Sequence, residues 1–99
     1  MAMTPEKKVK NKVVALLKEA GAYYFYPVTS GYGASGVPDI IVCHKGRFLG
    51  IECKAGKNKP TKLQEHHLEQ IRKAGGISMV INEDNIHEVA SWLSIISHA

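Results

Sequence analysis

Apolar side chains recur along this chain with two periods, one of about 3.6 residues and one of about 2, and the switches between them mark out the elements. Over the first twenty residues Val9, Val13, Leu16, Leu17 and Ala20 keep helical spacing. Thr4 is suited to cap that helix, Pro5 to its first position and Gly21 to its end. The run 22–28, AYYFYPV, is aromatic and β-prone. A loop follows, TSGYGASG, whose glycines Gly31, Gly33 and Gly36 would let the backbone approach a bulky ligand, although it does not match a phosphate-binding loop. Residues 38–54, PDIIVCHKGRFLGIECK, read as two strands about a Lys45-Gly46 turn. Ile40, Val42, Leu49 and Ile51 take one face, and Ile41, Cys43 and Phe48 the other, which predicts a central hairpin covered by helices on both sides.

After the basic loop 55–60, Thr61 and Gln64 have the spacing of a capping box, and Leu63, His67, Leu68, Ile71 and Ala74 form the inner stripe of a second helix ended by Gly75-Gly76. Ile77–Ile81 is a short buried strand. Asn82 is placed to cap a last helix with the stripe Ile86, Val89, Ala90, Leu93 and Ile96. The expected fold is α/β, in the order α-β-β-β-α-β-α, with a mixed four-stranded sheet flanked by helices on both faces. Residues 1–99 are expected to form a single domain, without internal repeats.

The hairpin brings chemistry together. With Lys45 and Gly46 as the two turn residues, antiparallel partners have numbers that sum to 91, so Asp39 falls opposite Glu52. Opposed residues point to one face with Cβ atoms roughly 4.5–5.5 Å apart. Lys54, two residues beyond Glu52, shares that face. A bulge at the turn would undo this opposition. A lysine next to a carboxylate on a hairpin is ordinarily a cross-strand salt bridge. Here one lysine faces two carboxylates at the end of an apolar hairpin, and the excess negative charge suits a hard divalent cation such as Mg2+ or Mn2+. The Cys53 carbonyl is a candidate third oxygen ligand. Glu6, on the inward stripe of the first helix, is either a favourable partner of the helix dipole or a third acid aimed at the same site.

Composition narrows the options. An apolar fraction of 44% and a charged fraction of 22% are those of a globular protein, and no apolar run approaches the ~20 residues that span a bilayer. The amino terminus has no apolar stretch suited to a signal peptide, so a cytoplasmic protein is expected. Cys43 and Cys53 are not cross-strand partners in the proposed register and are expected as buried, reduced thiols; neither their spacing nor that of the histidines suits structural zinc. No helix start adjoins either cysteine to activate it as a nucleophile. The net charge of +4 points to a polyanionic partner. Lysines cluster at Lys7, Lys8, Lys10 and Lys12, and again at Lys54, Lys57, Lys59 and Lys62. Each cluster is either a solvated surface or a phosphate contact. Ser30, Tyr32, Lys57, Lys59 and Lys62 are the candidate residues for binding a polyanionic partner.

Pro-Asp, twelve residues, and then Glu-x-Lys resembles the PD-(D/E)xK nuclease superfamily, as does the order of elements. Within it, Gly36-Val37-Pro38-Asp39, Gly50-Ile51-Glu52-Cys53-Lys54 and the Thr61-x-x-Gln64 helix start resemble a VRR-NUC domain of the small stand-alone, phage-associated type. The Val-Arg-Arg tripeptide behind that name is absent, and Cys53 stands where valine is common. The resemblance implies metal ligation by Asp39 and Glu52, catalysis by Lys54, an acid on the first helix matching Glu6, and a supporting role for Gln64. It also implies a homodimer that cuts branched DNA. The expected function is thus a metal-dependent, structure-selective DNA endonuclease that resolves Holliday junctions. A less selective nickase or restriction-type nuclease, and a non-catalytic nucleic-acid-binding module, are the alternatives.

Overall fold

The computed structural model describes residues 3–28 and 35–98. Among these the order is α1 (Pro5–Ala20), β1 (Tyr23–Phe25), β2 (Ile40–His44), β3 (Arg47–Cys53), α2 (Lys62–Lys73), β4 (Ile77–Ile81) and α3 (His87–Ser97), as the hydrophobic pattern predicts. The strands lie side by side as β1-β2-β3-β4. The first three are antiparallel neighbours, and β4 joins β3 in parallel after the α2 crossover. Most of the glycine loop lies outside the described residues, and with it Ser30 and Tyr32.

The sheet has one dry face. Ile40, Val42, Leu49, Ile51, Cys53 and Ile81 point to the same side and pack against Val9, Val13, Val14 and Leu17 of α1 and Val89, Trp92 and Leu93 of α3. On the other side α2 lies over β3 and β4. Its anchors are Leu68, whose carbonyl accepts from the Ser78 hydroxyl at 3.0 Å, and Ile71, which fills the space above Gly50.

Three expectations are corrected. α2 packs over β3 and β4, and the second face is only part covered: Tyr23, Phe25 and Phe48 are exposed there, and Cys43 is an exposed rather than a buried thiol. An apolar residue on a half-open face has the same sequence signature as one in a core. On α2, Leu63 and Ala74 are exposed for the same reason. Finally, Asn82 does not cap α3, which begins at His87 without a side-chain cap. The Asn82 side chain accepts from the Asp84 N–H at 2.8 Å, and Asn85 holds the Asn82 N–H at 2.7 Å and the Val80 carbonyl at 2.9 Å. These local bonds hold a turn where the helix was expected to start.

Candidate active site

The β2–β3 turn sets the register on which the site depends. Lys45 and Gly46 both have positive φ, 52° and 78°, as a two-residue type I′ turn requires. No bulge intervenes, and pairs such as Ile40↔Ile51 and Val42↔Leu49 sum to 91 as expected. Pairing ends at Ile40↔Ile51, and Asp39 continues β2 by its side chain: its Oδ2 accepts the Cys53 N–H at 2.9 Å. In a strand the N–H and C=O of one residue point to the same side. The Cys53 carbonyl is therefore directed towards Asp39, while the next N–H, of Lys54, turns the other way and donates to Ile81 of β4 at 2.9 Å.

Glu52 lies between these groups, under α2, with only 2% of its surface exposed. Its Oε2 is 3.5 Å from the Lys54 ammonium. Its Oε1 is buried with no hydrogen-bond partner among the described residues. Burial, followed by the charge of Asp39, pushes the Glu52 carboxyl up to about 7, against the pull of Lys54 and with a smaller push from Glu6. Burial, followed by the charges of Asp39 and Glu52, raises the Cys53 thiol to about 12, which keeps it an inert, protonated neighbour.

The flanking residues come from both helices. Glu6 is exposed in the first turn of α1, above the hydrogen bond from the Lys7 N–H to the Thr4 hydroxyl that caps the helix. It borders, with Asp39, Lys7, Lys10 and Tyr26, a groove of about 430 Å³. Gln64 completes the capping box: its Oε1 accepts the Thr61 N–H at 2.9 Å and its own N–H reaches the Thr61 hydroxyl at 3.2 Å. Its side-chain NH2 is left as a donor. Lys57, Lys59 and Lys62 are exposed on and just after the loop that leaves β3, which is tied down by the Gly56 N–H on Glu83 at 2.6 Å. His67 lies along α2 beside Phe48, Ile71 and Gly76 rather than at the carboxylates.

Among the described residues no three His, Cys, Asp or Glu side chains form a ready-made metal cluster. Two carboxylates, one with a buried oxygen that has no hydrogen-bond partner among the described residues, and a backbone carbonyl are the oxygens gathered at this end of the hairpin. Lys10 lies over the Tyr26 ring, a tertiary contact; the four-residue spacing from Glu6 to Lys10 puts those two on one face of α1.

Fold and motif positions together define a nuclease of the PD-(D/E)xK superfamily. Residues 6–80, which run from Glu6 through the whole candidate site, match the family of archaeal Holliday junction resolvases, and the chain belongs to that family. A solved VRR_NUC domain has the same fold, with a TM-score of 0.72 over 93% of this chain and 97% of that one, at 23% identity. The resemblance drawn from the motifs is thereby borne out at the level of fold and superfamily. No curated protein matches the chain.

Proposed function

We propose that the protein is a divalent-metal-dependent DNA endonuclease that hydrolyses phosphodiester bonds in branched DNA, four-way junctions above all, as a homodimer. Membership of the resolvase family supports the substrate. The observation that carries the chemistry is the Oε1 of Glu52 beside Asp39, buried and without a hydrogen-bond partner among the described residues. A buried carboxylate oxygen without a partner costs roughly 1–3 kcal/mol or more, and an oxygen-seeking cation removes that cost.

Asp39, Glu52 and the Cys53 carbonyl would hold Mg2+ or Mn2+, with Glu6 contributing through a water. When bound, such an ion neutralises phosphate charge and makes hydroxide available from water near neutral pH. The chain's own residues supply the rest. Lys54, fixed by Glu52, orients the attacking water and meets the negative charge that develops on the phosphoryl oxygens. The water oxygen bonds to phosphorus as the bond to the sugar oxygen breaks, and the departing oxygen takes up a proton. The Gln64 amide, held by the capping box, offers a donor to the same phosphate. Lys57, Lys59 and Lys62 hold flanking phosphates on the α2 side. The open apolar face around Tyr23, Phe25 and Phe48 supports pairing of two copies, and a twofold dimer presents two centres to two strands.

Labelled four-way junction and linear duplex, each incubated with Mg2+, Mn2+ or chelator, test the reading. Metal-dependent incision of the junction in preference to duplex is expected. Equal cutting of both substrates would leave a less selective nickase, and binding without any cutting would leave a nucleic-acid-binding module.

A further inference from the structure

The first lysine cluster has no part in the chemistry above, yet one of its members is built into the site. Glu6 and Lys10 are one helical turn apart in the order that favours an ion pair, acid before base. They do not form one. Among the described residues the salt bridges are Lys54–Glu52 and Arg72–Glu69, and the Lys10 ammonium lies over the Tyr26 ring, 4.3 Å from its centroid. That ring is itself braced. Tyr24, whose side chain packs against the core, meets Tyr26 edge-on at 6.0 Å. A cation is thus held in place by an aromatic face without being neutralised by a carboxylate.

Its position gives this arrangement a use. Lys10 and Tyr26 line the groove that ends at Asp39 and Glu6, on the α1 side of the metal-binding carboxylates. At about 430 Å³ the groove falls within the ~300–1,000 Å³ of sites that take a compact organic ligand. An acidic end that takes a cation and a basic end held open by an aromatic ring suit successive parts of one polyanionic strand.

We propose that Lys10, positioned by Tyr26, binds a DNA backbone phosphate next to the one being hydrolysed, so that the strand enters the centre along α1 and leaves it over the Lys57–Lys62 side. This rests on the nuclease reading above. Lys10 acts in binding and register, and Tyr26 is a positioning residue that acts through it.

The test is equilibrium binding of fluorescent four-way junction in Ca2+, over a range of salt, for wild type, Lys10→Gln, Lys10→Arg, Tyr26→Leu and Lys18→Gln. The last removes the same charge from the exposed far end of α1. Lys10→Gln is expected to weaken binding several-fold and to lower the slope of log K against log salt by ~0.9, the loss of one phosphate contact. Lys10→Arg should restore both. Tyr26→Leu should weaken binding with little change of slope, and Lys18→Gln should match wild type. Wild-type affinity and slope in Lys10→Gln, or an equal loss in Lys18→Gln, would overturn the proposal while wild-type cutting in Mg2+ left the nuclease intact. A wild type that neither binds nor cuts would overturn both.

Discussion

Glu52 has one carboxylate oxygen on Lys54 and the other without a hydrogen-bond partner among the described residues, and burial with two neighbouring acids sets its acidity. Its carboxyl is raised from an ordinary 4.5 to about 7, so the folded, metal-free protein holds that proton more tightly than the unfolded chain does. The protonated form therefore favours the fold, and metal-free stability should fall as pH rises through the window from about 4.5 to about 7. Melting temperatures measured in chelator across that window should decline for wild type and run flatter for Glu52→Gln. Above that window Glu52→Gln should melt higher than wild type without metal, and Mg2+ should stabilise only the wild type. A flat wild-type profile would contradict the assigned environment. That Asp39, Glu52 and Lys54 meet at one end of the hairpin was legible in the sequence because a two-residue turn leaves one register. The orphaned oxygen was not, since it follows from how closely α2 approaches β3.

That approach is an element-scale property, and Gly36 controls part of it. It has φ of 81°, and a Cβ there would lie 2.7 Å from Leu63 Cγ and 3.0 Å from the Leu63 carbonyl carbon, in the first turn of α2. The backbone leading to Asp39 is pressed against the helix that carries Gln64, and only glycine allows both the conformation and the contact. Gly36→Ala should destabilise the protein by roughly 1–3 kcal/mol in a denaturant titration, and should slow incision because Asp39 and α2 move apart. Thr61→Ala removes the hydroxyl of the capping box and should cost ~1 kcal/mol. It should also reduce the cutting rate more than DNA affinity if Gln64 depends on that cap. Element order and the caps of α1 and α2 could be read from local chemistry. The start of α3 could not, because Asn82 and Asn85 offer the backbone a competing turn. Nor could the open half of the second sheet face, because helix coverage depends on where α2 crosses and not on the strands' own pattern.

Across the whole molecule, that open face and the charge distribution complement the site. Tyr23, Cys43 and Phe48 align across three strands, with Phe25 beside them, on the side α2 leaves uncovered. The proposed homodimer places this surface against a second copy. Replacing Phe25 and Phe48 together by Lys, at positions already exposed, should convert a dimer into a monomer in sedimentation and replace paired incisions with single nicks. An unchanged sedimentation profile would move the interface elsewhere, the exposed Ile95 side of α3 being next. The excess of lysine lies mainly on α1 and beside the β3–α2 loop, the two sides from which a strand would reach Asp39 and Glu52. Charge balance and the β2–β3 register made this general layout legible, whereas Tyr26 as the support for Lys10 depends on tertiary contact.

The central claim is that Asp39, Glu52 and Lys54 form a hydrolytic centre at the end of the hairpin. Single-turnover incision of a four-way junction in Mg2+ tests it most directly, with wild type, Asp39→Ala and Lys54→Ala compared at saturating protein. Both variants are expected to bind the junction and to cut it slower by ~10²–10⁴-fold. Cutting at the wild-type rate by either variant, with binding intact, would contradict the account.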